Sequence, residues 1–175
     1  MAAAARVIAA QGLGAPTATI AREAGVSNGS LFTYFATKAD LLNQLYLELK
    51  TEMGAAALSG FPADGDPREQ LLSMCSGWLR WATANPDKRR TLAQLDVSDE
   101  ITPDTHAAAS AEMKSIAEIL ERSRAGGPLR AAPLAFVVTL ANAVADATID
   151  FVIRDPANAE AHAREGFEAL WRMLA

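Results

Sequence analysis

From Thr17 to Lys38 the chain reads TATIAREAGVSNGSLFTYFATK. Asn28, Ser30, Thr33 and Tyr34 crowd an amide, two hydroxyls and a phenol onto a short stretch that also carries the apolar anchors Leu31 and Phe35. These groups are suited to recognition through hydrogen bonds. An asparagine can pair bidentately with adenine, and a threonine can meet either a polar base edge or a thymine methyl. Serine and tyrosine hydroxyls commonly reach phosphates.

Catalysis finds little material in the rest of the chain. His106 and His162 are the only two histidines, and neither sits in a metal-ligand spacing. Glu160-Ala161-His162 reads as a solvated helix face, and Ser73, Cys75 and Ser76 have no histidine or basic partner nearby in sequence. There is no glycine-rich phosphate loop. The expectation is no catalytic residue, no metal, no cofactor and no enzyme.

The elements that position the polar stretch are helical. Alanine is abundant and β-branched runs are rare, so the reading is all-α with about nine helices. A first helix covers about residues 2–11 and stops at Gly12-Leu13-Gly14. A second runs from Pro16, which suits a first turn, to about Ala24. Gly25 can take the positive φ of a sharp turn. Ser27 caps a third helix over about residues 28–35, and Thr37 caps a fourth with Asp40 in its first turn. That fourth helix carries Leu41, Leu42, Leu45, Tyr46 and Leu49 at helical spacing. Two helices joined by a tight glycine turn make a helix-turn-helix. Its inner set is expected to be Ile20, Ala21, Ala24, Val26, Leu31 and Phe35. The opposite face, with Asn28, Gly29 and Thr33, is narrow enough for a major groove about 12 Å wide.

The stretch resembles the N-terminal domain of the TetR family of transcriptional repressors. The resemblance rests on Ile20-Ala21, Ala24-Gly25-Val26-Ser27, Gly29 through Phe35, and Lys38 followed by Leu41-Leu42, and covers about residues 1–45. It implies that Asn28, Gly29 and Thr33 face bases of a double-stranded operator, and that Thr17, Ser30, Tyr34 and Lys38 touch phosphates. Phe32 stands where the family usually has a phosphate-binding tyrosine and has no hydroxyl to offer. The family's first helix is usually longer and more basic. Only Arg6 precedes the motif here, so a truncated start is expected.

The net charge of −5 argues against a nonspecific nucleic-acid coat, but its distribution permits DNA contact. Residues 1–50 carry four basic and three acidic side chains, whereas the other 125 carry twelve basic and eighteen acidic. The single cysteine, Cys75, excludes an internal disulfide, in agreement with a reducing, cytoplasmic location. The longest apolar run, residues 133–153, is interrupted by Asp146 and Asp150, so it reads as a buried helix and no membrane partner is expected.

A reading domain over 1–45 and a helical effector-binding and dimerisation domain over 46–175 are therefore expected. In the larger domain, helices are read over about 67–84, 87–95, 103–124, 133–154 and 157–174. The 133–154 helix is apolar nearly all round and should be covered on every side. Small residues at 159, 163 and 166 would let the last two helices pair closely with a second copy, as the family does. Thr139, Asn142, Asp146 and Asp150 form a polar strip that lines a cavity, pairs across a dimer or faces solvent. Met74, Trp78 and Trp81 share a helical face and, with Met113, Leu140 and Asn142, are the candidates for a small, largely apolar effector. A helical interaction module without DNA and a small helical enzyme are the alternatives, and salt-sensitive retention of specific DNA separates them from the regulator.

Overall fold

The computed structural model describes the backbone of residues 1–175 and every side chain except that of Glu112. Among the described residues there are ten α-helices and no strand. They are α1 (Ala2–Gln11), α2 (Thr17–Glu23), α3 (Asn28–Tyr34), α4 (Lys38–Ala57) and α5 (Pro67–Ala84), followed by α6 (Pro86–Asp96), α7 (Pro103–Glu112), α8 (Lys114–Ser123), α9 (Leu134–Arg154) and α10 (Ala159–Leu174). The expected 103–124 helix is two helices. It breaks at Met113, whose φ of −87° and ψ of 5° flatten the turn. The two pieces also differ in sequence. α8 has an apolar stripe of Ile116, Ile119 and Leu120, whereas α7, PDTHAAASAE, has none. Pro16 is the extended residue before α2 and not its first helical residue.

Two compact units divide the chain, one comprising Met1–Glu52 with Asn85–Glu112, the other Met53–Ala84 with Met113–Ala175. The first unit is discontinuous in sequence. Its centre is built by α1, with Ala4, Ala5, Val7 and Ile8 buried, by Ile20 and Ala21 of α2, and by Leu92 and Leu95 of α6. All five residues of the expected α4 stripe, Leu41, Leu42, Leu45, Tyr46 and Leu49, are buried here. Each such side chain contributes roughly 1.5–3 kcal/mol by leaving water. By contrast, the Arg6–Glu23 ion pair at 2.9 Å is about half exposed at both ends and adds little.

Several polar links fix the inserted segment to this core, and two of them are buried or nearly so at the core side. The fully buried Thr91 hydroxyl donates to the Ala5 carbonyl at 2.8 Å, joining α6 to α1. The Tyr46 hydroxyl donates to Asp96 at 2.8 Å, and Lys50 pairs with the same carboxylate at 2.8 Å. With its one proton given to Asp96, the phenol oxygen is left to accept from His106 Nδ1 at 3.2 Å. Burial first, and Asp96 second, push the Tyr46 phenol well above its ordinary range, so it stays a neutral donor.

The second unit is a conventional helical core of Leu71 and Met74 from α5, Ile119 and Leu120 from α8, Val137 and Ala141 from α9, and Phe167, Leu170 and Leu174 from α10. α5 begins with a reciprocal cap, in which the Glu69 amide donates to Asp66 and the Asp66 amide to Glu69. α10 lies against α9 so closely at Gly166 that any Cβ there would overlap the Thr148 side chain. The small residue at 166 thus serves packing inside one chain. α9 is not covered on all sides: Val137, Ala141 and Ile149 are buried, but Phe136 and Phe151 remain more than half exposed. A helix this apolar meets the length and composition of a membrane span, with mean hydropathy 1.7.

Thr91→Val keeps the shape of the side chain and removes the bond to Ala5. It should weaken the first unit by about 1 kcal/mol. Native-state hydrogen exchange checks this, with α1 and α6 amides losing protection together and those of α8 to α10 unchanged.

Candidate nucleic-acid interface and ligand cavity

α2 and α3 are joined by a backbone that the sequence specifies residue by residue. The Val26 amide donates to the Ala21 carbonyl at 3.0 Å and the Gly25 amide to Arg22 at 3.1 Å. Gly25 adopts φ +72°, the left-handed conformation that this C-terminal closure needs. Ser27 then caps α3, its hydroxyl accepting from the Ser30 amide at 3.0 Å. Three residues of the pair are buried, Ile20, Ala21 and Leu31. Ala24 and Val26, expected inside, are exposed, Val26 to 43%, because the closure after α2 turns the chain outward at these two positions. Phe35 is half-buried at the end of α3.

With Leu31 turned inward, the rest of α3 faces outward. Asn28, Gly29, Ser30, Thr33 and Tyr34 are all exposed, Tyr34 to 77%. Thr33 donates back to the Gly29 carbonyl at 3.3 Å, and the Ser30 hydroxyl lies 2.8 Å from that of Ser27. Phe32 is 42% exposed beside them. Thr17 opens α2 and Lys38 opens α4, both half-buried. Thr37 and Asp40 exchange bonds at 3.0 Å each, fixing the turn in which Lys38 sits.

The second unit holds a cavity of about 290 Å³ walled by α5, α9 and α10. Leu72, Cys75, Trp78, Val144, Ile149 and Phe167 give it an apolar surface. Of the six expected effector residues, Trp78 lines this cavity and the other five do not. Met74 and Trp81 are buried, and Met113 packs over Gly54. Leu140 is half-buried and Asn142 exposed on α9. The Thr139, Asn142, Asp146 and Asp150 strip likewise lies outside the cavity lining. The cavity residues of α9 and α10 escaped the sequence reading because Ala145, Ala163 and Gly166 look like packing positions. Gly166 is one such position, tight against Thr148, and still borders the space. Among the described residues, no group of three or more His, Cys, Asp or Glu side chains could hold a metal ion.

Two short helices closed by a glycine turn, the second presenting a polar outer face, define a helix-turn-helix DNA-binding protein. Residues 1–45 match the family described as bacterial regulatory proteins, tetR family. A crystal structure from Shewanella sp. PV-4, assigned to the tetR family of transcription regulators, is 30% identical with a TM-score of 0.84, covering 97% of this chain and 92% of that one. A TetR family transcription regulator from Marinobacter aquaeolei VT8 is 21% identical with a TM-score of 0.82, covering 99% and 92%. The transcriptional regulator FadR from Bacillus subtilis, solved in complex with stearoyl-CoA, shares the fold at 18% identity and a TM-score of 0.73, covering 99% and 96%. The chain belongs to the TetR family of bacterial transcription regulators.

Burial pushes the Cys75 thiol up to about 12. The thiolate is the reactive form, so Cys75 should be alkylated by iodoacetamide at pH 8 roughly a thousandfold more slowly in the folded protein than in denaturant. A raised folded value stabilises the neutral thiol. Its contribution is therefore complete below the ordinary thiol range and is lost as pH climbs from there to about 12. Mass spectrometry of timed aliquots measures the rates, and equal rates would refute the assignment.

Proposed function

We propose that the chain is a homodimeric repressor in which paired α3 helices read an operator and a small, largely apolar effector releases it. The observation that carries this reading is the outward polar face of α3 on its buried Leu31 anchor. On this reading Asn28, Gly29 and Thr33 meet base edges, and Thr17, Ser30, Tyr34 and Lys38 meet phosphates. Lys38 does so from the first turn of α4, where the helix dipole also attracts an anion. Residues 1–45 carry the reading and residues 46–175 the effector response and pairing. A cytoplasmic location follows from the need to reach DNA.

One reading head spans too few base pairs for useful selectivity, and two heads about 34 Å apart match successive turns of the duplex. The second copy is proposed to cover α9. Phe136, Thr139, Ala143, Ala147 and Phe151 recur every three or four residues along its exposed side, with two alanines at the middle to admit a neighbouring backbone. Pairing through α9 and α10 would satisfy this stripe. Asp146 and Asp150 beside it would be costly inside a bilayer, which favours a second copy over lipid. The apolar cavity, and the stearoyl-CoA held by a regulator of the same fold, support ligand-controlled release.

Selection of bound fragments from genomic DNA identifies the operator and tests the whole reading, since recovery of no preferred sequence would sink it. With that operator in hand, Asn28→Ala should cost about 1–3 kcal/mol and relax base preference at one position. Lys38→Ala should instead weaken all sequences alike and reduce the salt slope by about one. Ala147→Glu places a charge on an exposed position, so the fold should survive while sedimentation shows monomers and operator affinity drops.

A further inference from the structure

We propose that the cavity of α5, α9 and α10 binds a small amphipathic carboxylate, its apolar tail against Leu72, Val144 and Phe167 and its head on Arg164. The proposal rests on the effector reading above and names the chemical class of that effector.

Size comes first. At about 290 Å³ the space lies at the lower end of ligand pockets, which run to roughly 1,000 Å³, so the occupant is small. Charge comes next. Three charged residues line the cavity, Arg68, Arg164 and Glu168. Arg68 is engaged: it pairs with Glu168 and lies over the Phe167 ring at 5.4 Å and the Trp171 ring at 5.9 Å. Arg164, one turn before Glu168 on α10, is exposed and makes no ion pair or hydrogen bond among the described residues. The lining therefore carries one uncompensated positive charge at its edge, which matches a monoanion. A planar guanidinium binds a carboxylate through two parallel bonds. The Ser76 hydroxyl, also on the wall, makes no hydrogen bond among the described residues and is a further donor. Cys75 adds no competing negative charge, because burial keeps its thiol protonated. An alcohol of the same tail would gain only the apolar part of the binding, and an amine would meet a like charge.

Titration calorimetry on the full-length protein with octanoate, octanol and octylamine tests the assignment. Octanoate should bind at least tenfold more tightly than octanol, and octylamine more weakly than either. Arg164→Gln, a change on the exposed surface, should remove that preference and leave octanol unaffected. Bromine at the far end of the tail should quench tryptophan emission, and Trp78→Phe should remove most of that quenching. Equal affinities for the acid and the alcohol, an Arg164→Gln protein that still prefers the acid, quenching indifferent to Trp78, or no binding of any of the three would each overturn the proposal. Binding of octanoate as described without any effect on operator affinity would leave the site standing and refute the effector reading. Absence of binding with operator recognition intact would refute the site alone.

Discussion

A helix of seven residues does not hold together in water, since isolated helices shorter than about 12–15 residues are marginal even in favourable sequences. α3 therefore exists only because its surroundings impose it. Gly25 supplies a backbone angle that other residues rarely adopt, Ser27 satisfies an amide that the helix itself cannot, and Leu31 is the single α3 side chain buried under it. Every α3 group proposed to meet DNA hangs on that arrangement. Leu31 points inward, so the positions around it on the same short cylinder must point outward. The proposed recognition surface is the complement of a packing decision made by one leucine.

The same dependence extends to residues far away in the chain. Ile20 and Ala21 bury in a unit whose α1 is joined to α6, and α6 comes from residues 86–96. The buried Thr91 hydroxyl and the Tyr46–Asp96–Lys50 cluster make that junction specific, since a bare apolar contact would tolerate sliding whereas a directed bond does not. The first unit takes in a segment lying beyond α5, so the chain leaves it along α4 at Glu52 and returns to it at Asn85.

Much of the N-terminal region was legible because its signals are local. Gly25, the Ser27 cap, the Thr37 cap and the leucine stripe of α4 each depend on neighbours within a turn or two, and each is where periodicity and capping chemistry place it. Val26 and Ala24 were not legible. Whether an apolar residue next to a glycine turn faces in or out is decided by the path of the closure, and the sequence pattern carries no trace of that path. The break at Met113 was hidden for a similar reason, since no proline or glycine marks it. The cavity was the least legible feature. Met74 and Trp81 have the chemistry of a pocket and lie buried, whereas the lining includes Ala145, Ala163 and Gly166, small residues that by type read as packing positions.

α9 brings these threads to one element. Its inner side gives Val137, Ala141 and Ile149 to the core and Val144, Ala145 and Thr148 to the cavity, while its outer side carries Phe136, Ala143, Ala147 and Phe151. A ligand on one side and a second copy on the other would then share a single helix as their wall. α10 meets α9 at Gly166 without room for a methyl group, so a ligand seated in the cavity would lie beside a tight contact and would displace the two helices or brace them. Either outcome biases the pairing surface if, and only if, the ligand prefers one arrangement over the other. Linkage then requires that pairing alter ligand affinity by the same factor. A coupling of this kind needs no long relay, because the proposed cavity and the proposed pairing stripe lie on opposite faces of the same 21-residue helix.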